Sequence, residues 1–389
     1  MRPPDDLRSS DEPGARAIVS VTAPATVDVV CLGESMVTFL PTRSGRLADV
    51  PSFERGIGGA ESNVACALAA AGHRTRWLSR VGTDGFGDHL VEAVAAYGVD
   101  TSAVQRDRLR PTGIYFRTAG ERAVGDGDRV TPAGVEAERD AETVTEPVAE
   151  VLYYRAGSAA SAMSPRVVPD RDLWSGRILH VSGITAALSD DCLALLGEAT
   201  RRRPGRPLVS FDVNYRVNLW DERRSVAADP TVLLDLARGA DLVFVGEDEA
   251  AAAWNIRGAS AIRAALPEPG VVVVKQGGAG ATVFTDDGPS VFVPALTVDI
   301  AAPVGAGDAF AAGFLSATLR GLPVRRRIRH GHLMAAAALT VAGDLAVPPP
   351  RAVADRLAAL DDAAWGRLRL GPGWTEATAT GADREVCTP

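Results

Sequence analysis

The run Pro303-Val304-Gly305-Ala306-Gly307-Asp308-Ala309-Phe310-Ala311-Ala312-Gly313-Phe314 holds the residues of this chain best suited to chemistry. Gly305, Ala306 and Gly307 let the main chain turn tightly and bring N–H groups up to a ligand with no side chains in the way. The apolar, helix-competent run that follows puts the positive end of a helix dipole at the same place, so loop and helix start form an anion site. A carboxylate is out of place there, because Asp308 would repel a phosphate held by the loop. The conflict resolves if Asp308 takes the proton from a hydroxyl attacking a phosphoryl group whose charge the main chain stabilises. Read alone, the segment allows equally a glycine-rich loop in which Asp308 is a helix N-cap.

Gly58-Gly59-Ala60-Glu61-Ser62-Asn63-Val64-Ala65 again sets glycines before a helix, with a polar residue on its first turn. The paired glycines admit a polyol close to the main chain, and Asn63 offers a donor and an acceptor to sugar hydroxyls. As an ordinary helix start, Asn63 would only cap. In order and spacing the two segments resemble the two signatures of the ribokinase-like (PfkB) carbohydrate kinases, and the resemblance runs from about Val27 to Leu360. It implies an α/β chain with a ribokinase-like three-layer α/β/α fold, a central, mainly parallel sheet and a small β-sheet lid. It also implies ATP as phosphoryl donor and a hydroxymethyl group as acceptor. Asp308 is then the base, Gly305, Ala306 and Gly307 the anion hole, and Gly58, Gly59 and Asn63 lie at the sugar.

A chain of 389 residues can bury a large core. A net charge of −8 advertises no surface for a polyanion, so nucleic acid is not an expected partner. Lys275 is the only lysine, which excludes a Walker-type phosphate loop with its Gly-Lys-Ser/Thr. Cys31, Cys66, Cys192 and Cys387 are dispersed without metal-ligand spacing, as in a reduced, cytoplasmic protein. No apolar run is long enough to span a bilayer, so no membrane partner is expected. Residues 1–25, rich in Pro, Asp, Arg and Ser, read as a disordered extension, and 363–389, Gly-, Thr- and Ala-rich from Trp365, as a loosely held tail. The kinase domain is thereby placed at 26–362.

Val27–Leu32 is apolar but for Asp28, the pattern of a strand buried on both faces. It ends at Gly33-Glu34 without Gly-x-Gly-x-x-Gly, which removes the main support for a dinucleotide fold. The pattern then predicts helix Glu61–Ala71, strand Arg76–Val81 and helix Phe86–Tyr97. Later strands are expected at Ile178–Val181, Leu208–Asp212, Asp241–Val245 and Val271–Lys275, with helices between them that include Asp190–Arg201 and Pro230–Arg238. Such alternation implies a parallel sheet with helices on both faces. Val37–Phe53, Gly113–Arg117 and Val151–Arg155 break the rhythm, and the resemblance makes them the lid. Between the last two, Thr118–Glu150 carries nine acidic and three basic residues and reads as a solvated insertion.

Tyr153-Tyr154-Arg155-Ala156-Gly157-Ser158-Ala159 places a guanidinium beside two aromatic rings. A neutral sugar gives an arginine nothing to pair with, whereas a sugar acid offers a carboxylate. Phe211-Asp212-Val213-Asn214-Tyr215-Arg216 sets a second arginine past the carboxyl end of a buried strand, where ligands bind in open α/β sheets. Two arginines converging on one cleft point to an anionic substrate, and both segments resemble those of the 2-keto-3-deoxygluconate kinases within the family. That resemblance puts Tyr115, Tyr153 and Arg155 on the substrate, Arg216 between substrate and transferred phosphate, and Asp344 near the sugar. As alternatives, the tyrosines are lid packing and the arginines surface ion pairs.

On the nucleotide side, Lys275 with Gly277, Gly278 and Gly280 resembles the family's Lys-x-Gly-x-x-Gly element, and Asn214 and Gly246 are placed there too. Glu249 takes the position of a glutamate that organises Mg²⁺ through water, although Gly246 stands where that motif has Asn. The cluster Glu247–Glu249 is equally a solvated helix start. Mg²⁺ itself would be held by ATP phosphates and water. Ala302 stands where relatives have an aspartate beside a monovalent cation, so weak or absent activation by K⁺ is expected. The leading reading is a kinase of a sugar acid, 2-keto-3-deoxygluconate. A neutral-sugar kinase of fructokinase or ribokinase type and a weakly catalytic sugar- or nucleotide-binding protein are the alternatives, and a homo-oligomer through the lid is left open.

Overall fold

Alternate residues of the strand Val27–Leu32 pack on opposite faces of one sheet: Val29 and Cys31 enter one core, Val30 and Leu32 the other. Phe244 against Val243 and Val245 divides in the same way on the strand Leu242–Gly246 of the same sheet. Period-two alternation with apolar residues at both phases is what a strand covered on both faces requires. The computed structural model describes residues 26–43, 45–118, 151–220 and 229–377. Within them the main sheet has eight strands, in the order Gly288–Pro294, Gly280–Thr285, Val271–Lys275, Leu242–Gly246, Leu208–Asp212, Gly176–Ser182, Val27–Leu32 and Thr75–Leu78. The last six run parallel, and the first two are added antiparallel.

Helices Ala60–Ala70, Ala306–Leu319 and Val324–Leu339 cover one face, and Asp190–Thr200 and Thr231–Gly239 the other, which completes the three layers. Phe244 projects from the sheet edge-on to Phe314 at 5.5 Å and to Phe310 at 6.4 Å, locking the Ala306–Leu319 helix over the strand ends. Each such aromatic pair adds about 0.5–1.5 kcal/mol beyond its burial.

The lid is a separate four-stranded sheet, ordered Phe53–Gly58, Met36–Pro41, Ile114–Arg117 and Val151–Tyr154. Val37–Phe53, expected as one piece, is divided between a strand that stops at Pro41 and another that starts at Phe53, paired antiparallel. Arg76–Val81 also divides: Thr75–Leu78 stays in the main sheet, while Arg80–Gly82 leaves it to pair with Gln105–Asp107.

The tail is corrected as well. Trp365, Leu368, Leu370 and Trp374 are buried in the main core, and Arg369–Leu370 pairs with Thr297–Val298. Four large apolar side chains anchor a segment whose Gly and Thr content looked loose. Trp365 also donates from Nε1 to the Pro294 carbonyl at 3.0 Å. Trp365→Ala is therefore expected to lower stability by about 3–5 kcal/mol in a denaturant titration; a loose tail would give no change. The extension at 1–25, residues 119–150 of the acidic insertion and 378–389 lie outside the described residues. Among the described residues no helix is long and apolar enough to cross a membrane.

Candidate active site

The turn at Gly305 forms because a side chain there would be both strained and obstructed. Gly305 is the N-cap of Ala306–Leu319 at φ 69° and ψ −4°, and a Cβ there would lie 2.5 Å from the Asp344 carbonyl oxygen. Ala306, Gly307 and Asp308 are thus the first three helical residues, whose N–H groups have no partners within the helix. Asp308 is not the cap. Its carboxylate accepts from Asn63 Nδ2 at 2.9 Å across 245 residues of chain, bringing the two motifs together. Burial pushes the Asp308 carboxyl up to about 7; the Asn63 hydrogen bond opposes this, Asp212 adds to it, and Arg216 and Lys275 oppose it. Asn63 Oδ1 is buried without a partner, an acceptor facing no protein donor.

Beside this turn, Lys275 Nζ contacts both carboxylate oxygens of Asp212 at 3.0 Å. The two residues end strands on either side of Leu242–Gly246, so the pair spans the carboxyl edge of the sheet. Burial alone would push the Lys275 ammonium down, but Asp212, Glu249 and Asp308 together hold it up. Its Nζ lies 3.8 Å from where a Gly307 side chain would begin, directly against the loop. Asn214, just past the Asp212 strand, adopts a left-handed φ of 41° and is buried, the kind of backbone outlier that clusters at functional sites.

The Glu249 carboxylate is already engaged. Its Oε2 accepts from the Gly246 N–H at 2.9 Å, closing the first turn of Glu247–Trp254, and its Oε1 lies 3.8 Å from Arg216 Nη1. A side chain at Gly246 would come within 3.0 Å of Glu249 Cδ. Gly277 and Gly278 face open space, whereas a Cβ at Gly280 would lie 2.3 Å from the Val293 carbonyl oxygen. Gly280 is fixed by the adjoining strand. Among the described residues no group of three or more acids, histidines or cysteines forms a metal cage.

At the lid, Tyr115 and Arg117 share the inward face of Ile114–Arg117 and both donate to Asp344, Tyr115 Oη to Oδ2 at 2.9 Å and Arg117 Nη2 to Oδ1 at 2.7 Å. Burial raises the Tyr115 phenol well above its usual range, and Asp344 raises it further. A Cβ on Gly58 would strike both the Tyr115 hydroxyl and the Asp344 carboxylate, and one on Gly59 would lie 2.3 Å from the Glu34 carbonyl oxygen. Tyr153 is half-exposed, its ring 5.4 Å from that of Tyr115.

The two arginines expected at an acid substrate each face a protein carboxylate. Arg155 is buried in an ion pair with Glu34, which also accepts from Ser158 Oγ at 2.6 Å, while Arg216 sits across from Glu249. Burying a guanidinium demands an acid beside it, and the buried Glu34 supplies it.

Sequence reading missed Glu34, Glu61, Arg117 and Asp212. Glu61 is fully buried, and its Oε1 accepts from the Ser182 amide, the Ser182 hydroxyl and the Thr185 hydroxyl. Burial pushes its carboxyl up to about 6 against those hydrogen bonds. Arg117 had a legible signal, since it lies two residues after Tyr115 on one strand face.

The pfkB family carbohydrate kinase pattern matches residues 27–142 and 140–350. A 2-dehydro-3-deoxygluconokinase of Thermoproteus tenax is 33% identical over 346 residues, covering 87% of this chain and 96% of its own. A protein of the same name from Bacillus subtilis is 32% identical, covering 84% and 93%. The crystal structure of a PfkB protein from a Polaromonas species superposes with a TM-score of 0.68 at 32% identity, covering 85% of this chain and 99% of its own. With its two glycine turns, Asn63 against Asp308 and a lidded α/β sheet, this chain belongs to the pfkB family of carbohydrate kinases.

Proposed function

We propose that this kinase phosphorylates the terminal hydroxymethyl group of 2-keto-3-deoxygluconate, with Asp308 as general base; two of its relatives are named as kinases of that acid, under its other name 2-dehydro-3-deoxygluconate. The observation that carries the reading is the buried Asp308 carboxylate, held by Asn63 on the first turn of a helix whose leading N–H groups have no partners within it, with burial pushing the carboxyl up to about 7. Asp308 takes the hydroxyl proton as the sugar oxygen attacks the γ-phosphorus of ATP. The bond to the β,γ-bridging oxygen breaks, and ADP leaves. The amides of Ala306 and Gly307 and the Lys275 ammonium meet the charge on the transferred group. Asn63 holds the Asp308 carboxylate through Nδ2 and keeps Oδ1 for a sugar hydroxyl.

Asp212 and Glu249 each already hold a protein partner, which fits Mg²⁺ bound by ATP phosphates and water, with Glu249 reaching it through a water. When bound, that ion neutralises phosphate charge. For the acid substrate, Arg155 keeps a buried Nε–H without an acceptor, which a sugar carboxylate would supply. One observation favours a neutral sugar instead: both lid arginines are already balanced, by Asp344 and Glu34.

The base assignment fixes a pH dependence. Burial raises the Asp308 pKa to about 7, so the inactive protonated form accumulates as pH falls through that value. We expect kcat/KM to drop about tenfold per pH unit below about 7 and to level off above it. A rate independent of pH across about 5.5–8 contradicts the assignment.

A further inference from the structure

Lid and phosphate loop both lie against Asp344. Its carboxylate is gripped by Tyr115 and Arg117 of the lid, and its main-chain carbonyl abuts Gly305, which starts the Asp308 helix. The fit leaves no spare atom: a single added carbon at Gly305 would lie 2.5 Å from the Asp344 carbonyl oxygen, and one at Gly58 would lie 2.7 Å from Asp344 Oδ2. Arg117 is 2% exposed, and among the described residues its ion-pair partner is Asp344.

We propose that Arg117 is a positioning residue for phosphoryl transfer. By clamping the Asp344 carboxylate it fixes the Asp344 main chain against Gly305, and so holds the turn that sets the anion hole and Asp308. The proposal rests on the kinase reading of that loop. A carboxylate released from Arg117 keeps, among the described residues, the Tyr115 hydroxyl and is drawn toward water, because an unbalanced buried charge is costly. The carbonyl of the same residue moves with it. In a close-packed contact that shift passes to Gly305, and a displacement of about 1 Å at a catalytic group can lower rate by about 10²-fold.

The test compares wild type, Arg117→Met and Arg117→Lys by peptide-resolved hydrogen exchange and by steady-state kinetics on whichever sugar the wild type phosphorylates. Arg117→Met should speed exchange in residues 303–309 several-fold while leaving the Val271–Lys275 strand unchanged. Its kcat should fall by about 10–100-fold with KM for ATP little altered, and Arg117→Lys should restore most of both. Unchanged exchange at 303–309, or an equal rise throughout the molecule, overturns the proposal. If Arg117→Met does not fold, Asp344→Asn takes its place with the same local exchange expected. A wild type that phosphorylates no sugar sinks the kinase reading, and the exchange data still decide the role of Arg117.

Discussion

Asp308→Asn should keep its affinity for ATP and lose about 10²–10⁴-fold in kcat, the reach of a positioned general base. The substitution preserves size, and its amide oxygen can still accept from Asn63 Nδ2, which now lies 2.9 Å from the carboxylate. What disappears is the capacity to take a proton. The lost negative charge beside the phosphate loop should, if anything, tighten ATP, so a fall in kcat with unchanged or lower KM for ATP separates a chemical role from a folding defect. Single-turnover kinetics with calorimetric ATP binding checks both. A variant within about threefold of the wild-type rate means that Asp308 is not the base.

Arg155→Ala should destabilise the protein by about 3–5 kcal/mol, because Glu34 is left buried and unpaired. Glu34 is 2% exposed, and among the described residues its remaining hydrogen-bond donor is the Ser158 hydroxyl, at 2.6 Å. Adding Glu34→Gln removes the stranded charge, and most of the stability should return. Activity on the sugar acid should not, since the guanidinium that would meet its carboxylate is still missing. Urea titration of the two single variants and the double variant, with kcat/KM for the acid on each, gives the comparison. Equal loss of stability in Arg155→Ala and in the double variant means that the stranded Glu34 charge is not the cause of the loss.

Local pattern carried the frame a long way. Strands Leu208–Asp212 and Val271–Lys275 are found at their expected bounds, because apolar runs ending in a charge at the sheet edge admit few other structures. The strand Phe53–Gly58 went unrecognised because Glu54, Arg55 and Gly56 interrupt it, as suits a lid strand with two exposed residues. The tail misled because its anchoring side chains, Trp365 through Trp374, are sparse among glycines.

The two glycine turns were legible as sites, but their electrostatic partners were not. Tyr115 meets Asp344 across 229 residues and Lys275 meets Asp212 across 63, and no local periodicity encodes such pairings. A buried Glu34 or Glu61 reads in sequence like any surface acid. For the same reason Arg155 looked free for a ligand: its balancing charge follows a different strand, and only the fold joins them.

Substrate preference tests the proposed sugar-acid kinase activity most directly. ADP release, coupled to a reporter reaction, should be measured with ATP and either 2-keto-3-deoxygluconate or fructose, and kcat/KM compared. The buried Nε–H of Arg155 lacks a partner; the acid would meet it with a charged acceptor and fructose only with a neutral one, and a charge-assisted contact is about twice as strong as a neutral one. The account predicts a clearly higher kcat/KM for the acid; an equal or higher value for fructose would contradict it.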